Sequence, residues 1–484
     1  MRRLSIIDGY LTVFFSLICG ILLSLILALF YGARIGEVRL KSEIAMDISM
    51  NSVLAEYSRA LFDQYDLLMV DMSYGTENGN IENVETHFKN YLDKNFARTL
   101  IGRATSSSNL TGTSCSEAKI PAYSLAGDGS GSVLRRQILA YMEAEPLEKE
   151  FSEVAGQVKV LKAENLDSYD VDQEARRRKQ ELDDLFEENE VDEEKMDDST
   201  IEKASSLWDQ AVLDKCITNR WGLSSVEVPL REFYSHRQGH LYGTGLDDVR
   251  EITLTESLLF DQYLFEKCGN YRNVLEKSRL KYQIEYLIVG KNSDQENLSK
   301  VLETILFWRA ASNFFSMETD GRKKAQTLRL ASLIGMVIPI EGLVPVLDAC
   351  LQIYWVLAET VADLRCLTNG GGVNLIKGHN EWHLPNLIDV LFADREYKHC
   401  RKGGGLDYAG YLRLLVFQKT LFEKTDRLMD LMEMDIRETP GNKAFRMDAC
   451  LDCMTGEMQV KSRIGYSTSL SRTYGYEMRD EKQK

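Results

Sequence analysis

Tyr10-Leu-Thr-Val-Phe-Phe-Ser-Leu-Ile-Cys-Gly-Ile-Leu-Leu-Ser-Leu-Ile-Leu-Ala-Leu-Phe-Tyr31 is a run of 22 residues without a charge, 18 of them apolar or aromatic. At ~1.5 Å per residue a helix of this length covers about 33 Å, enough to cross a hydrocarbon core of ~30 Å. Secretory signal peptides have shorter apolar regions and end at a small-x-small cleavage site. Here Ala33 has Tyr31 two places before it and Gly36 has Arg34, so neither pair suits that site. A retained single-pass anchor is expected. Its orientation is not decided by charge. Arg2 and Arg3 stand before the run against Asp8, and Arg34, Arg39 and Lys41 after it against Glu37.

The run carries a second pattern. Thr12, Ser16, Gly20, Ser24, Ala28, Gly32 and Gly36 recur every four residues. Small residues at this spacing let membrane helices approach closely, so the row is read as a helix-packing face. Beyond the membrane, Val38, Leu40, Ile44, Ile48, Val53, Leu54, Tyr57, Leu61, Phe62 and Tyr65 continue at helical spacing. One continuous helix to Tyr65 is predicted, apolar in lipid and amphipathic beyond it. Pilins and pseudopilins share this long-stem plan, and so do many other anchored proteins.

The remaining composition is that of a folded head. The chain has 484 residues, 44% hydrophobic and 27% charged, which excludes a polytopic membrane protein and global disorder. The net charge of −16 argues against a nucleic-acid-binding surface. That charge is local: residues 147–203 hold 20 Asp/Glu and 9 Lys/Arg, leaving −5 on the other 427 residues. Mixed charge at this density suits an exposed helix or a flexible insertion.

The segments divide as follows. Residues 1–9 are a basic N-terminal segment, 10–31 the transmembrane helix and 32–66 the amphipathic stem. Residues 67–146 form a mixed α/β part of the head, with a buried strand at Asp66-Leu-Leu-Met-Val-Asp71 and strand-like pieces around Tyr123. The acidic insertion, 147–203, follows. Residues 204–445 read as mainly helical, with helices over 254–290, 294–315 and 406–436. Within them 328–367 is an apolar hairpin, split by Pro339, Gly342 and Pro345. Glu341 and Asp348 at its centre argue against a second membrane span. Residues 446–484 read as a C-terminal β-hairpin. The fold class expected is α+β and helix-rich.

No catalytic signature emerges, and no cofactor is expected. His379-Asn-Glu-Trp-His383 places two imidazoles at i and i+4. The metalloprotease pattern needs glutamate beside the first histidine, whereas Glu381 sits midway. His379, Glu381 and His383 are therefore the nearest approach to a metal set in a chain expected to hold none. Cys450-Leu-Asp-Cys453 has the spacing of a redox pair or a zinc half-site, but a single C-x-x-C reads rather as unpaired thiols or one local disulfide. Gly370-Gly-Gly372 and Gly403-Gly-Gly405 lack the endings of phosphate loops and read as flexible.

Several segments together resemble a family of Gram-positive bacteria often encoded beside tight-adherence (Tad) pilus genes. They are Leu11-Thr-Val-Phe-Phe-Ser16, Glu56-Tyr57, Gln64-Tyr-Asp-Leu-Leu-Met-Val-Asp71, Glu285-Tyr-Leu-Ile-Val-Gly-Lys291, Ala362-Asp-Leu-Arg365, Asp407-Tyr-Ala-Gly-Tyr-Leu-Arg-Leu-Leu415 and Ser462-Arg-Ile-Gly-Tyr466. The resemblance implies an extracytoplasmic head on an N-terminal membrane helix, similar to TadE/TadG-type minor pseudopilins, with the N-terminus cytoplasmic. It implies processing after Gly9, although Phe14 stands where such pilins carry glutamate. The function implied is that of a structural, non-enzymatic component of a Tad or type II-like pilus or secretion apparatus. Its partners would be the membrane and other pilus subunits, with no nucleic acid. The alternatives are an anchored receptor or sensor with a ligand-binding head, and an extracytoplasmic metal-dependent hydrolase using His379, Glu381 and His383.

Overall fold

The computed structural model describes residues 4–97, 112–143, 171–189, 217, 222–246, 252–378, 380–391 and 404–476. It is helix-rich α+β, with one small antiparallel sheet. The chain divides into two compact units. The first comprises Met1–Tyr141, Gln238–Glu251 and Ile436–Lys484, the second Met142–Arg237 and Ile252–Asp435. The mixed segment after the stem and the C-terminal hairpin therefore belong to one body.

Unit 1 is built on helix α1 (Leu4–Leu54), 51 residues long. Over 10–31 the helix is bare, and nearly every side chain is exposed. The hydroxyls of Ser16 and Ser24 donate to the carbonyls of Val13 and Ile21 on the same helix, at 2.8 and 2.7 Å. Such back-bonding satisfies a hydroxyl where there is no water. From Val38 on, one face is buried: Val38, Ser42, Ala45, Met46, Ser49, Met50 and Val53.

The predicted unbroken helix to Tyr65 is corrected here. The chain leaves α1 after Leu54, and α2 (Arg59–Tyr65) restarts with Ser58 as its N-cap. The Ser58 amide is taken by the Met69 carbonyl at 2.8 Å, so the bend is made by a tertiary backbone bond rather than by proline or glycine. The strand expected after the stem is β1 (Val70–Asp71).

Helix α3 (Ile81–Phe96) buries Val84, Phe88, Leu92 and Phe96, a four-residue spacing that keeps one face inward. Strand β2 (Ser114–Leu125) precedes α4 (Asp128–Glu143). The C-terminal hairpin is present as expected, β3 (Cys450–Lys461) and β4 (Ser467–Gly475), antiparallel from Cys453↔Gly475 to Lys461↔Ser467. β3 is the central strand. β2 runs along one side of it, and β1 and β4 share the other. Gly456 on β3 is where the sheet meets the stem: a Cβ there would lie 2.5 Å from Met50 Sδ and 3.1 Å from Met46 Cε. Polar bonds fasten the same helix from the side. Arg39 donates to Tyr466 at 2.7 Å, and Arg472 and Tyr474 donate to Asp47 at 2.6 and 2.8 Å.

Unit 2 is helical. Of the acidic segment 147–203 only 171–189 is described. It forms α5 (Val171–Glu188), largely exposed and laced by Arg177 and Arg178 to Glu174 and Glu181. The long helix expected over 254–290 is two helices, α6 (Leu254–Lys267) and α7 (Gln283–Val289). The segment between them is held by buried side chains of α7. Gln283 accepts from the Gly269 amide and Glu285 from the Tyr271 amide, both at 2.9 Å. Helix α8 (Asp294–Thr319) starts at its Ser293 cap and contributes many buried side chains. The apolar hairpin is α9 (Gly321–Val337) and α10 (Leu343–Thr368), interrupted where Pro339 and Gly342 required. A short helix, α11 (Leu387–Leu391), follows. The single helix expected over 406–436 is divided into α12 (Tyr408–Gln418) and α13 (Leu421–Arg437). Thr420 provides the restart, accepting from the Glu423 amide at 3.3 Å.

The two glycine runs are not simply flexible. Val373 and Leu406 pair as an antiparallel bridge beside them. A Cβ on Gly405 would lie 2.3 Å from the Asn374 nitrogen, so glycine is required for two backbones to pass.

Candidate functional site

Helix α10 is apolar along most of its length, yet it carries Glu359 and Asp363 four residues apart on one face. Both are fully buried. A buried carboxylate is costly unless paired and hydrogen-bonded. The neighbouring elements supply what is needed. Arg309 of α8, itself fully buried, donates to Asp363 Oδ2 through Nε at 3.0 Å and Nη2 at 2.9 Å. Its Nη1 donates to the carbonyls of Asn374 and Leu375 at 2.8 and 2.7 Å. Asn313, one turn along α8, donates to the same Asp363 oxygen at 2.9 Å. From the loop after α10, the Lys377 ammonium is held between Glu359 Oε1 and Asp363 Oδ1. His383 Nδ1 lies 3.0 Å from Asp363 Oδ1 and 3.2 Å from Glu359 Oε1. The amides of His383 and Leu384 donate to Glu359 at 2.7 and 2.8 Å.

The charges settle accordingly. Burial works to raise Glu359 and Asp363, but Lys377, with Arg309 at Asp363 and His383 at both, overrides it and holds them below the usual carboxylate range. Burial works to lower His383, yet its bonds to Asp363 and Glu359 push it up to about 9. The ligand-type atoms of Glu359, Asp363 and His383 lie within 4.8 Å of one another, a spacing that a metal ion accepts. Lys377 already supplies the cation at their centre. The arrangement is an internal ion-pair network that ties α8, α10 and the 373–384 loop together.

Of the candidate set His379, Glu381 and His383, the structure does not bring Glu381 and His383 together. His379 lies outside the described residues. Glu381 turns away and accepts from the Gly378 amide at 2.8 Å and Asn374 Nδ2 at 2.9 Å, closing its own loop. Of Glu381 and His383, it is His383 that reaches the network, and its partners are two acids of α10 that the histidine spacing does not reveal. Beside the network is an open cleft of about 570 Å³ lined in part by Ser316, Thr319, Arg322, Lys377 and Trp382.

Of the two readings of the cysteine pair, unpaired thiols or a local disulfide, the structure shows the first: Cys450 and Cys453 do not form a disulfide. They lie three apart on β3, where side chains alternate faces and a rise of ~3.4 Å per residue sets their Cα atoms about 10 Å apart, beyond the ~7 Å that a disulfide spans. Burial pushes the Cys453 thiol up to about 11, away from redox reactivity. Among the described residues, Cys366, near the end of α10, is in a disulfide.

Of the anchor residues, Thr12, Ser16, Gly20, Ser24, Ala28 and Gly32 all lie on exposed helix. Gly9 lies inside α1. A Cβ added to Gly20 or Gly32 would touch nothing.

No curated protein and no solved structure matches the chain. Residues 189–462 match the model of a family of unknown function, DUF5702. The match takes in the ion-pair network and β3, and it leaves out the anchor and stem. It spans more than half of the sequence, and the chain belongs to this family.

Proposed function

We propose that the protein is a membrane-anchored, non-catalytic structural component of a Tad or type II-like pilus or secretion apparatus, placed like a minor pseudopilin. Its N-terminus is cytoplasmic and its bulk extracytoplasmic. The observation that carries this reading is α1, one helix that is bare and apolar over 10–31 and embedded in a sheet-bearing unit from Val38 on. A stem of this kind places a head at a fixed height above a bilayer. The disulfide at Cys366 supports the outward orientation, because disulfides persist in oxidising compartments. The ion-pair network of unit 2 supports a structural role, since each of its charged side chains faces an opposite charge within it.

The test is co-purification from native membranes. The full chain is expected to bring down the membrane proteins of the pilus platform, and Gly20→Leu with Ser24→Leu to reduce that yield severalfold. Unchanged yield would remove the packing row from the proposal, and absence of platform proteins would remove the assignment. External protease on intact protoplasts tests orientation: cleavage within 147–203 is expected only if the bulk faces outward.

A second reading, an anchored receptor, draws on the cleft beside Lys377 and Trp382. A thermal-shift screen in which a small anion stabilises the wild type but not Arg322→Ala would favour it.

A further inference from the structure

Within unit 2 a short turn, Tyr234–His236, is fastened to α13 by the two residues on which the segment ends. Arg237 meets Glu433 with two bonds of 2.9 Å, which pairs that charge. Ser235 meets Asp430 instead. Its amide donates to Asp430 Oδ1 at 2.7 Å, and its hydroxyl is hydrogen-bonded to Oδ2. Tyr286 of α7 donates to the same Oδ2 at 2.7 Å. Asp430 and Tyr286 are fully buried. Among the described residues the partners of Asp430 are these neutral donors, with no cation among them.

The Ser235 oxygen has a second neighbour, His236 Nδ1, at 2.7 Å. His236 is exposed, so one hydroxyl links a solvent-facing imidazole to a carboxyl that water does not reach. A hydroxyl has one proton to donate, so the three groups cannot place their hydrogens independently. With Asp430 ionised, Ser235 donates to Oδ2, and its lone pair is met by a proton on His236 Nδ1. Neutral His236 then has a bare Nε2. With Asp430 protonated, Oδ2–H donates to Ser235, Ser235 donates to a bare Nδ1, and the imidazole proton sits on Nε2.

We infer that His236, Ser235 and Asp430 form a proton relay, a pH-sensitive switch that turns the exposed His236 Nε2 from hydrogen-bond acceptor to donor. Uptake balances atom by atom. A solvent proton binds Nε2, the Nδ1 proton passes to Ser235 Oγ, and the Ser235 proton passes to Asp430 Oδ2. Three bonds to hydrogen form and two break, the difference being the proton taken from water. Release runs the same steps backward. The relay ends at Tyr286, whose phenol is pushed up by burial and by Asp430 and stays protonated. Burial, with Glu433, pushes Asp430 up to about 7 against the bonds from Ser235 and Tyr286, so the switch is set near neutral pH. The remaining charges around it are engaged elsewhere: Glu433 with Arg237, and Arg427 with the carbonyls of Leu287 and Ile288 at 2.8 and 3.0 Å.

The experiment is nitrogen NMR of the purified full chain in detergent, isotope-labelled at histidine, with His236→Gln identifying the His236 signals. At pH 8 the wild type is expected to carry the imidazole proton on Nδ1. Asp430→Asn, whose amide NH2 donates to Ser235 as the protonated acid does, is expected to move it to Nε2 at the same pH. Ser235→Ala should abolish this dependence on residue 430, and Ser235→Thr should keep it. Tyr286→Phe removes a donor to the ionised acid, so the tautomer change of an otherwise wild-type chain should move to higher pH. A proton on Nε2 in the wild type at pH 8 overturns the relay, as does one tautomer shared by wild type and Asp430→Asn. A tautomer change that survives Ser235→Ala overturns it as well, because the proton would then reach His236 by another route.

Discussion

The anchor and the centre of unit 2 depart from ordinary burial in opposite directions. Over 10–31 the chain exposes Leu17, Ile21, Leu25 and Leu29, each more than half open. Around α10 it buries Arg309, Glu359 and Asp363 completely. Apolar surface in water and charge inside protein are both costly, and each is resolved differently. On the proposed anchored reading, the exposed apolar side chains are matched by a medium, a bilayer that accepts any apolar side chain. The buried charges are matched by particular atoms at particular distances. The first region should therefore tolerate exchange of one apolar residue for another and fail when charged. The second should fail when any one partner is removed.

The largest expected effect tests the second region. Arg309→Met leaves Asp363 short of two donors and takes one donor from each of the carbonyls of Asn374 and Leu375. Removing one partner of a buried charged network costs about 3–5 kcal/mol. Urea unfolding of the purified full chain should show that loss. Arg322→Met, on exposed helix, should change stability by less than about 0.5 kcal/mol. Equal effects from the two would show that Arg309 is not held as a network member. The first region gives the next effect. Leu22→Arg places a charge at mid-span and costs about 3 kcal/mol of insertion. The fraction retained in carbonate-washed membranes should fall, while Leu22→Ala should leave it nearly unchanged. If Leu22→Arg were retained as well as wild type, the bilayer would not be the medium around this helix.

The two regions were not equally readable from sequence. The anchor is a local property, because 22 uncharged residues need no partner in the chain to declare themselves. The same holds for the break at Pro339 and Gly342 and for the alternation of β3 and β4. Breaks made by tertiary bonds were hidden. Nothing near Ser58 announces that Met69 will take its amide, and the turn between α6 and α7 depends on Gln283 and Glu285 reaching back fourteen residues. The network was half visible. Glu359 and Asp363, four apart in an apolar helix, demand buried cations. Their partners Arg309 and Lys377 lie 54 and 14 residues from Asp363, at separations no periodicity marks. The histidine spacing drew attention to the correct residue, His383, for the wrong reason.

The smallest expected effect concerns that histidine and gives the contrast a pH axis. In the folded chain His383 is raised from 6.5 to about 9, burial opposing the shift and the carboxylates of Asp363 and Glu359 prevailing. The folded state therefore keeps a proton that the unfolded chain has released. Its stabilisation is fully present below pH ~6.5 and is lost as pH rises through about 9. The slope between these limits is about 1.4 kcal/mol per pH unit, so roughly 2 kcal/mol should be lost between pH 7.5 and 9. Glu285 and Asp430, raised by burial to about 7, act with the same sign but have largely titrated before that window. The measurement is the difference in unfolding free energy between wild type and His383→Gln across pH 7.5–9. Glutamine cannot titrate, so its profile should be flatter there. Parallel profiles would mean that His383 carries no proton in the network and that Lys377 and Arg309 alone balance the two acids. Residues 10–31 hold no Asp, Glu, His, Lys or Arg, so membrane retention of both proteins should stay constant from pH 6.5 to 8. A medium that matches apolar surface is indifferent to protons, whereas a network of named partners is not.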